Sequence, residues 1–150
     1  MENVKFAGVS LSDLPHIVPK IWQDFEKYPI WLFNAEMGSG KTTFIRALCQ
    51  YLQVEDEAIS SPSYAIANEY QTKNSHVIYH LDLYRLHNIQ EAHQIGIEEY
   101  LYAPQTHCFI EWPDIIWPII PQKMAIGIYI AKQKNKRDIT IGSYKPNNVG

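Results

Sequence analysis

Ile30-Trp31-Leu32-Phe33-Asn34-Ala35-Glu36-Met37-Gly38-Ser39-Gly40-Lys41-Thr42-Thr43 joins an apolar run to a glycine-rich turn, and Phe44, Ile45, Leu48 and Leu52 then recur at helical spacing. The unbroken run Ile30 to Phe33 suits a central strand buried on both faces, so the order is strand, loop, helix. Glycines at 38 and 40 let backbone N–H groups curl around phosphate oxygens without a side-chain clash, and the start of a helix adds its partial positive charge. Lys41 then reaches the β- and γ-phosphates, and the Thr42 hydroxyl binds Mg²⁺. Gly38, Ser39, Gly40, Lys41, Thr42 and Thr43 are thus the expected phosphate-binding residues, with ATP or ADP as ligand. The full form of this turn has Gly at its first position, where this chain has Ala35. A Cβ is tolerated there if the backbone φ is negative.

Outward from the turn, strands and helices alternate. Upstream, Ser10 or Ser12 caps a helix with Ile17, Ile21 and Phe25 on one face. Downstream, Tyr64–Tyr70 and Val77–Tyr84 flank the polar tip Gln71-Thr72-Lys73-Asn74-Ser75 and form a hairpin. A short helix over Gln90–Gln94 ends near Gly96, and Cys108-Phe109-Ile110 forms another apolar strand. Pro113 and Pro118 bracket a turn or short helix, and Ile126–Ala131 with Asp138–Tyr144 read as a closing hairpin. The expected fold is α/β: a P-loop NTPase-like sheet flanked by helices, with a mostly parallel core and antiparallel hairpins, in one domain over residues 1–150.

A net charge of −3 argues against this chain alone gripping a nucleic-acid backbone, which needs clustered Lys and Arg. No apolar run approaches the roughly 20 residues of a membrane span, and Met1-Glu2-Asn3-Val4-Lys5 is not a basic-then-apolar leader, so the expected location is cytoplasmic. Cys49 and Cys108 sit in apolar stretches and read as small buried side chains. His76 and His80 come near a ligand-like spacing, but they lie on a strand with no cysteine beside them, and zinc is not expected.

Mg²⁺ favours hard oxygen ligands and keeps several waters, so Thr42 plus one or two carboxylates is the expected protein share. Glu111 ends an apolar strand, where ligands collect in an open α/β sheet; it is the first candidate for metal ligation and for orienting an attacking water. Asp82 is next. Strand alternation places it with His80 and Tyr84 on one face, as a polar flank of the phosphate site or as a solvated face. Arg85 pairs with Asp82, binds phosphate or stabilises the hairpin. Trp112 packs or shields the nucleotide.

Ser61-Pro62-Ser63-Tyr64, His80-Leu81-Asp82-Leu83-Tyr84-Arg85, Gly96-Ile97-Glu98-Glu99-Tyr100 and Ile110-Glu111-Trp112-Pro113 follow the turn in that order. This succession resembles the TsaE (YjeE) family, small bacterial ATPases needed for threonylcarbamoyladenosine in tRNA. The family's glycine turn falls on Ala35 to Thr43, its switch segment on Ser61, Pro62 and Ser63, its Asp-Leu-Tyr-Arg on Asp82 to Arg85, and its Glu-Trp on Glu111 and Trp112. Their chemistry, apart from any resemblance, makes Lys41, Glu111 and Asp82 the catalytic candidates and Thr42, Glu111 and Asp82 the metal-contact candidates. Ser63 keeps a hydroxyl for a polar contact to the nucleotide or the metal, and the resemblance implies a base contact within Val9 to Leu11, with Ser10 as the candidate. The implied partners are the TsaB and TsaD proteins, with tRNA reached only through that complex. The basic group Lys132, Lys134, Lys136 and Arg137 lies near the ribose or a partner, or forms a solvated hairpin tip.

Two other functions share the turn. A small-molecule kinase adds several arginines to clamp its acceptor, whereas this chain has only Arg46, Arg85 and Arg137. A non-hydrolysing module would use Mg–ATP only to fix the segment Ser61 to Tyr64.

Overall fold

The structure is a computed structural model that describes residues 2–36, 38–54 and 67–147. Met37 and the switch segment Ser61-Pro62-Ser63-Tyr64, with the candidate Ser63, lie outside the described residues. The strands are β1 (Val4–Val9), β2 (Ile30–Ala35), β3 (Ala67–Gln71), β4 (Val77–Asp82), β5 (Thr106–Glu111), β6 (Ala125–Gln133) and β7 (Lys136–Gly142). The helices are α1 (Leu14–Phe25), α2 (Lys41–Tyr51), α3 (Ile89–Gln94) and α4 (Ile97–Leu101), with a longer 3₁₀ helix over Pro113–Ile119.

All the strands form one sheet, in the order β1-β7-β6-β2-β5-β4-β3. The run Ile30–Phe33 becomes its central strand. Its residues alternate between two cores: Trp31 and Phe33 join Phe44, Ile45 and Phe109 under α1 and α2, while Ile30 and Leu32 join Leu81, Ile97 and Ile110 on the other face. Burial on both faces is what a strand without polar alternation requires.

β4, β5, β2 and β6 run parallel, but β3, β7 and β1 pair antiparallel at the two edges. The sheet is therefore mixed, not mostly parallel as expected. Much of the difference is β1, an edge strand along β7 that the sequence pattern does not announce. Only Val9 of its six residues is buried, so no alternation marks it. The expected helix near Gln90–Gln94 is also followed directly by a second one. Gly96, at φ 76°, turns the chain between α3 and α4.

α1 is preceded by a 3₁₀ turn, Leu11–Asp13, whose entry is fixed when Ser10 N–H donates to Asp13 Oδ2 at 2.9 Å. The buried face of α1 is Leu14, Val18, Ile21, Trp22 and Phe25, with Ile17 at its margin. Cys49 and Cys108 belong to the cores on opposite faces of the sheet and are free; burial pushes both thiols up to about 12. Among the described residues no helix is long and apolar enough to cross a membrane.

His107 of β5 is buried under the end of α1. Its Nε2–H donates to the Glu26 carbonyl at 2.8 Å, so Nδ1 of the neutral ring accepts from His76 Nε2–H at 2.7 Å. Burial holds its pKa down to about 4, with His76 adding to the effect and the Glu26 carbonyl opposing it. A depressed histidine contributes stability that is fully present above its unfolded value and is lost as the pH falls through the folded one. Urea unfolding is therefore expected to show a loss of up to about 3 kcal/mol between pH 6.5 and pH 4, over and above other titrations. His107→Gln, which keeps a donor for the Glu26 carbonyl, should flatten that part of the profile.

Candidate functional site

The glycine turn leaves the end of β2 and enters α2 at Lys41. Gly38 (φ 76°) and Gly40 (φ 106°) adopt angles that a Cβ would strain, and Gly40 is the residue that caps α2. Ala35 is the last residue of β2 and is not among the positive-φ residues, so its Cβ brings no penalty. Ser39 is buried; both its N–H and its hydroxyl donate to the Glu36 carbonyl. The first amide to close a helical bond is Phe44 N–H on Gly40 O, at 2.9 Å. The N–H groups of Lys41, Thr42 and Thr43 therefore have no acceptor within the helix and mark an anion-binding end.

Parallel register brings the carboxylates to the same place. Asp82 and Glu111 end β4 and β5 side by side, and Phe33 of β2 is the next partner of Glu111. Lys41 faces them. Desolvation lowers the Lys41 pKa, and the negative charges of Glu111 and Asp82 oppose that shift. Its Nζ lies over the Trp112 ring, 4.0 Å from the centroid, and Tyr84 packs on the same ring at 5.0 Å. Trp112 is thus both a packing residue and a wall of the site. Asp82 Oδ1 also accepts from Tyr84 N–H at 3.1 Å, which fixes the turn after β4. Arg85 is exposed.

Beside the turn opens a cavity of about 630 Å³, a size that accommodates a nucleoside. Its lining includes Val9, Ser10 and Leu11, Thr42 and Thr43 at the start of α2, and Lys132, Lys134 and Arg137 of the closing hairpin. The closing hairpin is therefore part of the site and not a remote tip, although Lys136 is not on the lining. Arg137 Nε–H also donates to the Ser39 carbonyl, tying the glycine turn to β7. That contact spans 98 positions of sequence, and no local pattern announces it. A second cavity, about 280 Å³ with Trp112, Tyr84, Asn34 and Asp114 on its wall, lies on the other side of Lys41.

His80, expected beside Asp82 on a polar flank of the phosphate site or on a solvated face, is not solvated. It is buried, with Nε2 2.6 Å from Glu111 Oε2 and Nδ1 3.4 Å from Tyr70 Oη. Its spacing of two from Asp82 on a strand was the only available signal.

Among the described residues no group of three or more His, Cys, Asp and Glu could hold a metal ion. A threonine hydroxyl at a helix start and two strand-end carboxylates are hard oxygen donors of the kind Mg²⁺ takes.

A family model described as threonylcarbamoyl adenosine biosynthesis protein TsaE matches residues 10–139. The tRNA threonylcarbamoyladenosine biosynthesis protein TsaE of Rickettsia bellii is 39% identical over 92 residues, 61% of this chain and 62% of that protein. Its namesake in Rickettsia prowazekii is 33% identical over 116 residues, 77% of this chain and 78% of the relative. Against the Rickettsia bellii and Rickettsia conorii proteins the chain spans 62% and 64% of their length. The crystal structure of Bacillus subtilis YdiB superposes with a TM-score of 0.69 at 25% identity, covering 95% of this chain and 87% of that one.

Arg137→Ala removes a charged donor from the backbone of the turn. Amide hydrogen exchange across Ser39 to Lys41 should speed up about tenfold, the share expected of one partly exposed charge-assisted bond, while the melting temperature stays near wild type.

Proposed function

The chain belongs to the family of threonylcarbamoyl adenosine biosynthesis protein TsaE, and from that membership we propose that it is a P-loop ATPase required for threonylcarbamoyladenosine in tRNA. It works in the cytoplasm on a complex of TsaB and TsaD proteins and meets tRNA only through them. The observation that carries the reading is the convergence of Lys41, Glu111 and Asp82 at the open end of the glycine turn.

Each residue has a role that follows from its position. The amides of Lys41, Thr42 and Thr43 and the Lys41 ammonium bind the β- and γ-phosphates, and Ser39 shapes the turn between Gly38 and Gly40. Thr42, Glu111 and Asp82 would hold Mg²⁺, which when bound offsets negative charge on the phosphates. Glu111 orients the attacking water at the carboxyl end of β5, with Asp82 beside it. Val9, Ser10 and Leu11 receive the base in the larger cavity, and Ser63 supplies a hydroxyl from the switch segment. Water exclusion strengthens these interactions, because Lys41 and Glu111 are already largely shielded from solvent.

The arginines favour hydrolysis over transfer to a small acceptor. Arg46 and Arg85 are exposed, and Arg137 is committed to the turn itself.

Lys41→Ala should weaken ATP binding at least about a hundredfold, measured by calorimetry with Mg–ATP. Glu111→Gln should bind ATP within a few-fold of wild type but release phosphate at least about tenfold more slowly. Phosphate release stimulated by added TsaB and TsaD supports the proposed function. Transfer of the γ-phosphate to a small acceptor, or full activity of both variants, would overturn it.

A further inference from the structure

An imidazole only 2% exposed has to be explained by what it bonds. His80 stands on β4 opposite Phe109 of β5, and Asp82 stands opposite Glu111, so His80 and Glu111 are diagonal neighbours on one face of the sheet. Phe109, Ile78 and Tyr70 of the apolar core adjoin that face. An aliphatic side chain would meet the packing demand there at no polar cost, whereas histidine must have both ring nitrogens satisfied.

The hydrogen-bond chain assigns the hydrogens. A carboxylate can only accept, so in the 2.6 Å contact with Glu111 Oε2 it is Nε2 of His80 that carries the hydrogen. On the other edge of the ring, Nδ1 lies 3.4 Å from the Tyr70 hydroxyl, within hydrogen-bond reach. We propose that His80 is a positioning residue for hydrolysis: supported by Tyr70, it fixes one oxygen of Glu111 and so aims the other at the space beside Lys41.

This rests on the reading of Glu111 as the residue that orients water. A carboxylate on a free rotor divides its time among several orientations, and one held by a buried donor does not. Lys41 limits Glu111 from one side by charge, and His80 limits it from the other by a directional bond.

The test compares His80→Leu, which deletes the donor, with His80→Gln, whose amide can replace Nε2–H. In His80→Leu, kcat for ATP hydrolysis should fall about tenfold or more while KM changes by no more than about threefold; His80→Gln should recover to within about threefold of wild type. On the Glu111→Gln background, His80→Leu should cause no further loss, because the residue it positions is already disabled. A readout apart from activity is the imidazole nitrogen spectrum of the ligand-free wild-type protein, which should show His80 protonated at Nε2. Wild-type kcat in His80→Leu, a loss confined to KM, no recovery in His80→Gln, independent losses in the double variant or a ring protonated only at Nδ1 would each overturn the positioning role. If the wild-type protein releases no phosphate even with TsaB and TsaD, or Glu111→Gln is fully active, the ATPase reading fails and this role fails with it. Active wild type, impaired Glu111→Gln and unaffected His80→Leu would overturn the positioning role alone.

Discussion

A lysine ammonium held largely out of water is the constraint around which this molecule is arranged. Lys41 is 8% exposed, and burying a charge that deeply is unfavourable unless opposite charge is brought to it. Two carboxylates and an aromatic face do so, and they arrive from two stretches of chain: Asp82 from β4, and Glu111 with the adjoining Trp112 ring from the end of β5. Parallel pairing of β4, β5 and β2 is what delivers them together, because parallel strands end on the same side. An antiparallel neighbour on either side of β5 would have carried its end residue to the opposite edge. The mixed character of the sheet is confined to its margins for that reason.

The same constraint explains how readable the sequence was. The central strand, the turn and α2 were legible because each rests on local chemistry: an apolar run, glycines in left-handed angles and a helical repeat. Both hairpins were legible from polar tips between apolar stretches, and β5 ended at Glu111 as expected, but β4 stops at Asp82 and not at Tyr84, because the Asp82 carboxylate takes the Tyr84 N–H and turns the chain. What escaped was set by partners distant in sequence. β1 exists because β7 offers it a backbone ladder, not because its own residues alternate. Arg137 looked like one more cation on a hairpin until the fold set it against the Ser39 carbonyl. His80 had the spacing of a polar strand face, yet it is buried, since the face it shares with Asp82 is partly covered by the α1–α2 core.

Trp112 shows how much the surroundings enforce. It is a bulky residue at φ 57° and ψ 55°, in the left-handed region, and it precedes Pro113, which disfavours helical angles in the residue before it. Such a conformation costs on the order of 1–2 kcal/mol and persists only where other contacts over-determine it. Those contacts are identifiable. The Leu83 N–H donates to the Glu111 carbonyl just before the bend, Pro113 and Ile116 anchor the following 3₁₀ helix in the core, and the indole is packed between Lys41 and Tyr84. The bend is what turns the indole back over the ammonium; an extended residue at 112 would carry the ring along the strand direction and leave Lys41 open to water. Backbone strain at 112 and desolvation at 41 are therefore two parts of one arrangement, in which the aromatic ring offsets part of the cost of the buried charge and the charge helps to hold the ring in place.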